Sequence, residues 1–287
     1  MRKYFRPADD AVPWNALWDT IQFEEALRAG GTNFLTAAFH QYFPKDGKIL
    51  EAGCGLGQYV AVYQQQGYDI EGVDNSPIAI QKIKERFPDL PVRLADIREL
   101  PYASKSVAIY FSGGVLEHFE QGPWEALKEA HRVLRDDGHL IMTVPWMNLA
   151  RRVGDLMFFR RPEDYVRVQQ FMVQAPLKPG WQFYQYCFER AEILRVLRQA
   201  GFKAISARGV SIVWGMKKLL NRQRGTWIPK PGTLASHVRS GVHQRPSLKS
   251  LLLLERSENR ILDALLSVLG LSVGHMLLIV CQKDGPV

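Results

Sequence analysis

A glycine-rich run, two well-separated aspartates and one glutamate–histidine pair are the residues of this chain whose types and spacing could do chemistry. The run reads Glu51-Ala52-Gly53-Cys54-Gly55-Leu56-Gly57 and directly follows the apolar stretch Lys48-Ile49-Leu50. Glycine at every second position permits positive φ and lets a ligand approach the backbone closely. A helix opening just beyond Gly57 adds unpaired N–H groups to that approach. Asp74, followed by Asn75, closes a second apolar stretch, where a carboxylate can accept hydrogen bonds from both hydroxyls of a ribose. Asp96, in Ala95-Asp96-Ile97, closes a third, and Glu117-His118 follows a fourth, Phe111-Ser112-Gly113-Gly114-Val115-Leu116. The intrinsic proton affinity of His118 suits a general base that takes a proton from a hydroxyl or an acidic carbon. It could equally pack beside a ligand or at the start of a helix. Glu117 is a weaker candidate for the base on the same grounds. Cys54 reads as a small residue of the tight loop and Cys187 as core.

The elements that must hold these residues alternate between strand and helix, which implies βαβ units and a parallel sheet. Strands are expected at Lys48–Glu51, Tyr68–Asp74, Val92–Ala95, Val107–Phe111, His139–Val144, Phe202–Val210 and His275–Gln282. Between the second and third, Ser76 is placed to cap a helix that begins at Pro77. Further helices are expected from about Gly57 to Gln66, from Pro123 to an Asp136-Asp137-Gly138 stop, and from Glu189 to Ala200. The sixth and seventh strands lack a helical crossover of the usual kind and should pair antiparallel. Each candidate residue then sits at the carboxyl end of a strand, the ligand edge of such a sheet.

A dinucleotide fingerprint spaces its glycines G-x-G-x-x-G, whereas this run is Glu-x-Gly-x-Gly-x-Gly. It resembles motif I of the class I S-adenosylmethionine-dependent methyltransferases. Val115-Leu116-Glu117-His118 is similar to the V-L-E-H that commonly follows the fourth strand there. Arg132-Val133-Leu134-Arg135-Asp136-Asp137-Gly138-His139-Leu140 resembles the family's turn into the fifth strand, with Asp-Asp-Gly where Pro-Gly-Gly is frequent. The pattern is closest to the small-molecule and quinone-type branch. The resemblance covers residues 46–145 well, and 189–210 and 275–282 loosely. It implies a Rossmann-like α/β fold with a seven-stranded, mostly parallel sheet whose last strand is antiparallel, and S-adenosyl-L-methionine as cofactor. It implies cofactor contacts from Glu51, Gly53, Cys54, Gly55, Gly57, Asp74, Asn75, Asp96, Ile97, Ser112 and Gly113. His118 is the catalytic candidate, and no metal is implied.

The resemblance does not reach three segments. Residues 1–45 are aromatic-rich and read as an N-terminal helical cap, 146–188 as a cap insertion, and 211–274 as a basic helical insertion. The remaining pieces are the core at 46–145, a core helix and sixth strand at 189–210, and the seventh strand with a tail at 275–287. The 287 residues carry a net charge of +8. Ten basic and three acidic residues between Ser211 and Gly274 supply +7 of it. Beside these charges lie the apolar stretches Leu251–Leu254 and Ile261–Leu269, so the insertion could meet an anionic membrane surface, pack on the sheet or form a contact between copies.

No apolar run reaches the ~18 residues of a membrane span. Three cysteines without metal-type spacing suit a reducing compartment. A cytoplasmic location is expected, peripheral at the membrane if the insertion binds lipid. The expected function is methyl transfer to a small-molecule or lipid-like acceptor at oxygen, carbon or nitrogen. Nucleic-acid methylation, RNA in particular, is the alternative that the basic insertion raises. Phe111-Ser112-Gly113-Gly114 stands against it, because base N-methyltransferases often carry N/D-P-P-[YF] there to grip a flipped base. A non-catalytic cofactor-binding partner protein is the third reading. The oligomeric state is left open.

Overall fold

Ile49 and Leu50 set the pattern of the main sheet: both are fully buried, Leu50 against one layer of helices and Ile49 against the other. The alternation repeats along Tyr110 and Ile109, Met142 and Ile141, and Ile279 and Val280. Strands buried on both faces read as continuous apolar runs, which is why the sequence shows stretches such as Val107–Phe111. The structure, a computed structural model, describes residues 1–7, 23, 27, 34–156, 165–171, 179–212 and 260–284.

Ten strands run in chain order: β1 Arg2–Pro7, β2 Ile49–Ala52, β3 Ile70–Asp74, β4 Val92–Leu94, β5 Val107–Gly113, β6 Leu134–Pro145, β7 Tyr165–Arg167, β8 Trp181–Cys187, β9 Phe202–Val210 and β10 Met276–Lys283. The helices are α1 Thr36–Tyr42, α2 Gln58–Gln65, α3 Pro77–Arg86, α4 Trp124–Val133, α5 Leu149–Leu156, α6 Arg190–Gln199 and α7 Arg260–Val273, with a 3-10 turn at Leu116–His118. The main sheet has the order β4-β3-β2-β5-β6-β10-β9. Its first five strands are parallel, and β10 pairs antiparallel with both β6 and β9. This is the expected mixed sheet with an antiparallel closing strand. Winding reverses between β2 and β5, so the crevice beyond their carboxyl ends is the topological switch point.

Ser76 caps α3 as its sequence foretells, its hydroxyl accepting from the Ala79 N–H at 3.2 Å with Pro77 in the first turn. Asp136-Asp137-Gly138 does not separate α4 from the fifth strand. Leu134 already pairs with Val107, the ladder slips, and His139 pairs with Ile109, so the three residues form a bulge inside β6.

A second sheet, in the order β7-β1-β8 and antiparallel throughout, was not anticipated from sequence. The segment read as a helical N-terminal cap begins as the central strand of this sheet. Tyr4 and Phe5 are β-forming residues buried in it. Pro7 stands last, where its missing N–H costs the ladder least. The sheet is fastened to the core by the Tyr186 hydroxyl, which donates to the Glu120 carbonyl at 2.6 Å, and by the buried Lys3 ammonium, 2.7 Å from the Glu120 carboxylate. Trp14, Trp18, Arg160, Arg161 and residues 213–259 of the basic insertion lie outside the described residues.

Candidate functional site

The loop from β2 into α2 turns on Gly53, Gly55 and Gly57, whose φ values are +83°, +53° and +67°. Only glycine takes such values at little cost, and a Cβ on Gly53 would stand 2.4 Å from Val115. The loop's N–H groups are engaged within the protein. Gly53 and Cys54 both donate to the Val73 carbonyl, at 2.8 and 2.9 Å, and Gly57 donates to the Cys54 carbonyl at 2.8 Å. The Gly55 N–H donates to Asp74 Oδ2 at 2.8 Å. A pyrophosphate-binding loop instead aims such groups at the ligand. These four are not available to a phosphate, which suits a nucleoside ligand without one.

Asp74 lies at the end of β3, 7% exposed, and its Oδ1 accepts from the Ser76 N–H at 2.9 Å. A carboxylate offers about four acceptor positions, so capacity remains for a ligand's hydroxyls. Burial raises its pKa, against hydrogen bonds from Ser76, Gly55 and Asn75 that hold it down. Asn75 beside it is exposed. Glu51, the acid that opens the motif, is buried with Oε2 lacking a hydrogen-bond partner. Burial moves its carboxyl well above the ordinary range, and the neighbouring Asp74 adds to the rise. The Val60 N–H already serves this carboxyl, and buried polar groups are rarely left unsatisfied, so the unpartnered Oε2 is what an ammonium or hydroxyl group of a ligand would complete.

Cys54 turns inward rather than toward the ligand edge. A Cβ on Gly72 would stand 2.9 Å from its Sγ, so the thiol packs on the bare backbone of β3. Ser112 is likewise structural, its hydroxyl donating to the Ala52 carbonyl at 3.1 Å and tying β5 to β2 at the switch point. Gly113 is exposed at the end of β5. Asp96 binds Arg98, accepting from its backbone N–H at 2.9 Å and from Nη2 at 2.6 Å. That pairing holds its carboxyl below the ordinary range. The Ile97 side chain belongs to the core.

His118 closes the 3-10 turn after β5. Its Nδ1 lies 2.8 Å from the Tyr184 carbonyl, an acceptor only, which fixes the proton on Nδ1 and makes Nε2 the basic nitrogen. Burial lowers its pKa to about 4, against the hydrogen bond to Tyr184, and the Arg6 charge pushes the same way as burial. Glu117 is buried beside it, Oε1 3.9 Å from Nε2 and Oε2 without a hydrogen-bond partner. Burial pushes its carboxyl up to about 8. At neutral pH the pair is therefore an imidazole with one fixed tautomer next to a protonated carboxylic acid.

Sequence reasoning missed Arg6, and read Tyr184 only as one of the aromatic residues of 181–188 that could wall a dry site. The aromatic alternation in Trp181-Gln182-Phe183-Tyr184-Gln185-Tyr186 was a strand signal, but nothing local pairs it with residues 2–7.

Residues 50–142 match the family model described as a methyltransferase domain. The chain is 32% identical over 197 residues to the ubiquinone/menaquinone biosynthesis C-methyltransferase UbiE of Campylobacter jejuni, covering 62% of this chain and 81% of that protein. The chain belongs to the class I S-adenosylmethionine-dependent methyltransferases. It is also 35% identical over 117 residues to the uncharacterized methyltransferase YodH of Bacillus subtilis, over 39% of this chain; the match spans about half of YodH, 49% of its length. A methyltransferase solved in complex with the Haloferax volcanii Trm112 methyltransferase activator shares the fold, with a TM-score of 0.55 and 14% identity over 95% of this chain and 98% of that one. The unpartnered Glu51 Oε2 and the four engaged N–H groups of the glycine loop fit the family's phosphate-free cofactor.

Proposed function

We propose that this methyltransferase acts on a small-molecule or lipid-like acceptor, with Glu51, Asp74 and the Gly53–Gly57 loop holding S-adenosylmethionine and His118 receiving the acceptor's proton. When bound, the cofactor supplies a methyl group already activated on a sulfonium. The chain's own work is then to orient, to exclude water and to move one proton. Asp74 and Glu51 fix the cofactor's polar groups. The acceptor's hydroxyl or acidic carbon would meet His118 Nε2, while Glu117, kept protonated by burial, adds no negative charge beside the leaving proton. The observation that carries the reading is the Nδ1 contact to the Tyr184 carbonyl, which leaves His118 neutral with one defined basic nitrogen.

A lipid-like acceptor is supported by an apolar row outside the core. Leu265, Val268 and Leu271 on α7 are 61%, 61% and 44% exposed, and Leu149 and Val153 on the adjoining α5 are 56% and 42% exposed. The sequence leading into α7 carries the basic excess, so an anionic lipid surface is the occupant that fits both its charge and this apolar row. Among the described residues no helix is long and apolar enough to cross a membrane.

The test uses radiolabelled S-adenosylmethionine against cell extract fractionated into lipid, small-molecule, RNA and protein pools. Label is expected in the lipid or small-molecule pool. Label confined to RNA or protein overturns the reading. Co-sedimentation with vesicles of phosphatidylglycerol, set against phosphatidylcholine, tests the lipid surface.

A further inference from the structure

Arg6 is carried toward His118 by a strand that has no counterpart in the main sheet. Its guanidinium lies over the Tyr184 ring, 4.7 Å from the centroid. Its Nε is buried without a hydrogen-bond partner, and among the described residues none accepts from it or pairs with its charge. Three other arginines among the described residues are satisfied within the protein. Arg98 is satisfied by Asp96, Arg132 by Glu129, and Arg151 by the Trp146 carbonyl and Cys187 Sγ.

The strand that carries Tyr184 is irregular at this point. Tyr4 is opposite Gln185 but Phe5 is opposite Phe183, so Tyr184 is the extra residue of a bulge. Bulges re-aim a side chain and release a backbone group from the ladder. Here the Tyr184 carbonyl meets His118 Nδ1 at 2.8 Å, and its ring stands edge-on to the imidazole with centroids 5.5 Å apart. One bulged residue thus meets both Arg6, through its ring, and His118, by hydrogen bond.

We infer that Arg6, Tyr184 and His118 form an acceptor subsite that takes a small molecule through an anionic oxygen, a carboxylate or a phosphate. A guanidinium presents N–H groups in a planar fork that matches such oxyanions. Its contact with the Tyr184 ring holds the Arg6 guanidinium beside His118. Binding an anion there would supply the missing partner of Arg6 and place the rest of the molecule beside His118. It would also cancel the Arg6 charge that disfavours the imidazolium, so acceptor arrival and proton affinity at His118 are coupled. Among the described residues, those that face His118 from the packed elements include Arg6 on β1, Tyr184 on β8 and Glu117 on its own turn.

The inference rests on the methyl-transfer reading only in treating this face as the acceptor side. Its test needs no turnover. The full chain is titrated with benzoate, phenyl phosphate and neutral benzamide, while the His118 imidazole is followed by NMR across pH and S-adenosylhomocysteine affinity is measured separately. Either anion is expected to raise the His118 pKa in the wild type, and benzamide is not. The preference between the two anions tells carboxylate from phosphate. Arg6→Gln is expected to raise the His118 pKa in the absence of ligand, to abolish the response and to weaken anion binding at least 10-fold, with S-adenosylhomocysteine affinity unchanged. Arg6→Lys, which keeps the charge without the fork, is expected to recover part of the response. A wild-type His118 indifferent to both anions, or an anion response that survives Arg6→Gln, overturns the inference. Failure of S-adenosylhomocysteine to bind overturns the methyl-transfer reading instead and leaves the anion result to be judged by itself.

Discussion

The Gly55 N–H and the Asp74 carboxylate meet at 2.8 Å, joining the glycine loop to the end of the neighbouring strand. Asp74 therefore shapes the loop as well as any ligand bound to it. Asp74→Ala is expected to weaken S-adenosylmethionine binding by about 1.5–3 kcal/mol, the range for hydrogen bonds to a charged group. It is also expected to lower thermal stability, because the Gly55 and Ser76 N–H groups both lose their acceptor. Asp74→Asn keeps one acceptor oxygen and should fall between the two. Calorimetry with the cofactor, paired with melting curves, separates the effects. Unchanged affinity in Asp74→Ala would remove Asp74 from the binding site.

Gly72 and Cys54 give a second expectation. A Cβ at position 72 would approach Val60 Cγ2 to 2.8 Å and Cys54 Sγ to 2.9 Å. Gly72→Ala is expected to destabilise by about 1–3 kcal/mol, the cost of overpacking a close-packed core. Adding Cys54→Ala removes the Sγ contact while leaving the Cys54 Cβ at 3.0 Å, and should recover part of that loss. Urea denaturation of the single and double variants measures the coupling, and strict additivity would show that the two side chains do not share the space.

Legibility from the sequence followed the range of the interactions. Ile49 through Val144 could be read because the parallel strands other than the edge strand β4 are buried on both faces, and because local signals such as Ser76-Pro77 mark helix starts. The placement of the candidates was legible for the same reason, since each stands at or just beyond the end of a strand. Ser112 and Cys54 were read as cofactor contacts from their motif positions, but their side chains turn to the Ala52 carbonyl and to Gly72. That choice depends on packing between strands, which local sequence does not encode. The pairing of Arg6 with Tyr184 was invisible because it joins residues nearly 180 positions apart through one strand register.

Glu117 makes stability depend on pH in a predictable direction. Burial raises its carboxyl to about 8 from an ordinary 4.5. Between those values the folded protein holds a proton that the unfolded chain releases, so this group's contribution to stability falls as pH rises from 4.5 through about 8. Glu117→Gln removes the titration. Its stability relative to wild type is expected to climb with pH over that window, by as much as ~3 kcal/mol at pH 7, less the cost of burying the second amide hydrogen. Denaturant unfolding at pH 5 and pH 8 checks this, and a pH-independent difference would place the Glu117 carboxyl in the ordinary range.

The base role proposed for His118 would make catalysis depend on pH in the opposite sense. Its pKa is depressed to about 4 by burial, and the neutral form is the one that accepts a proton. Activity should persist as pH falls from 7 toward 5 and disappear as it drops through about 4. Stability moves the same way, since the unfolded chain binds this proton below 6.5 before the folded protein does. His118→Gln preserves size and can still donate to the Tyr184 carbonyl, but it has no basic nitrogen. It is expected to lower the rate at saturating substrates by about 10²-fold or more, with S-adenosylmethionine affinity unchanged. Single-turnover rates and cofactor calorimetry on the same samples measure the two quantities. A variant with wild-type turnover and reduced stability would assign His118 to packing on Tyr184 and leave proton removal to solvent.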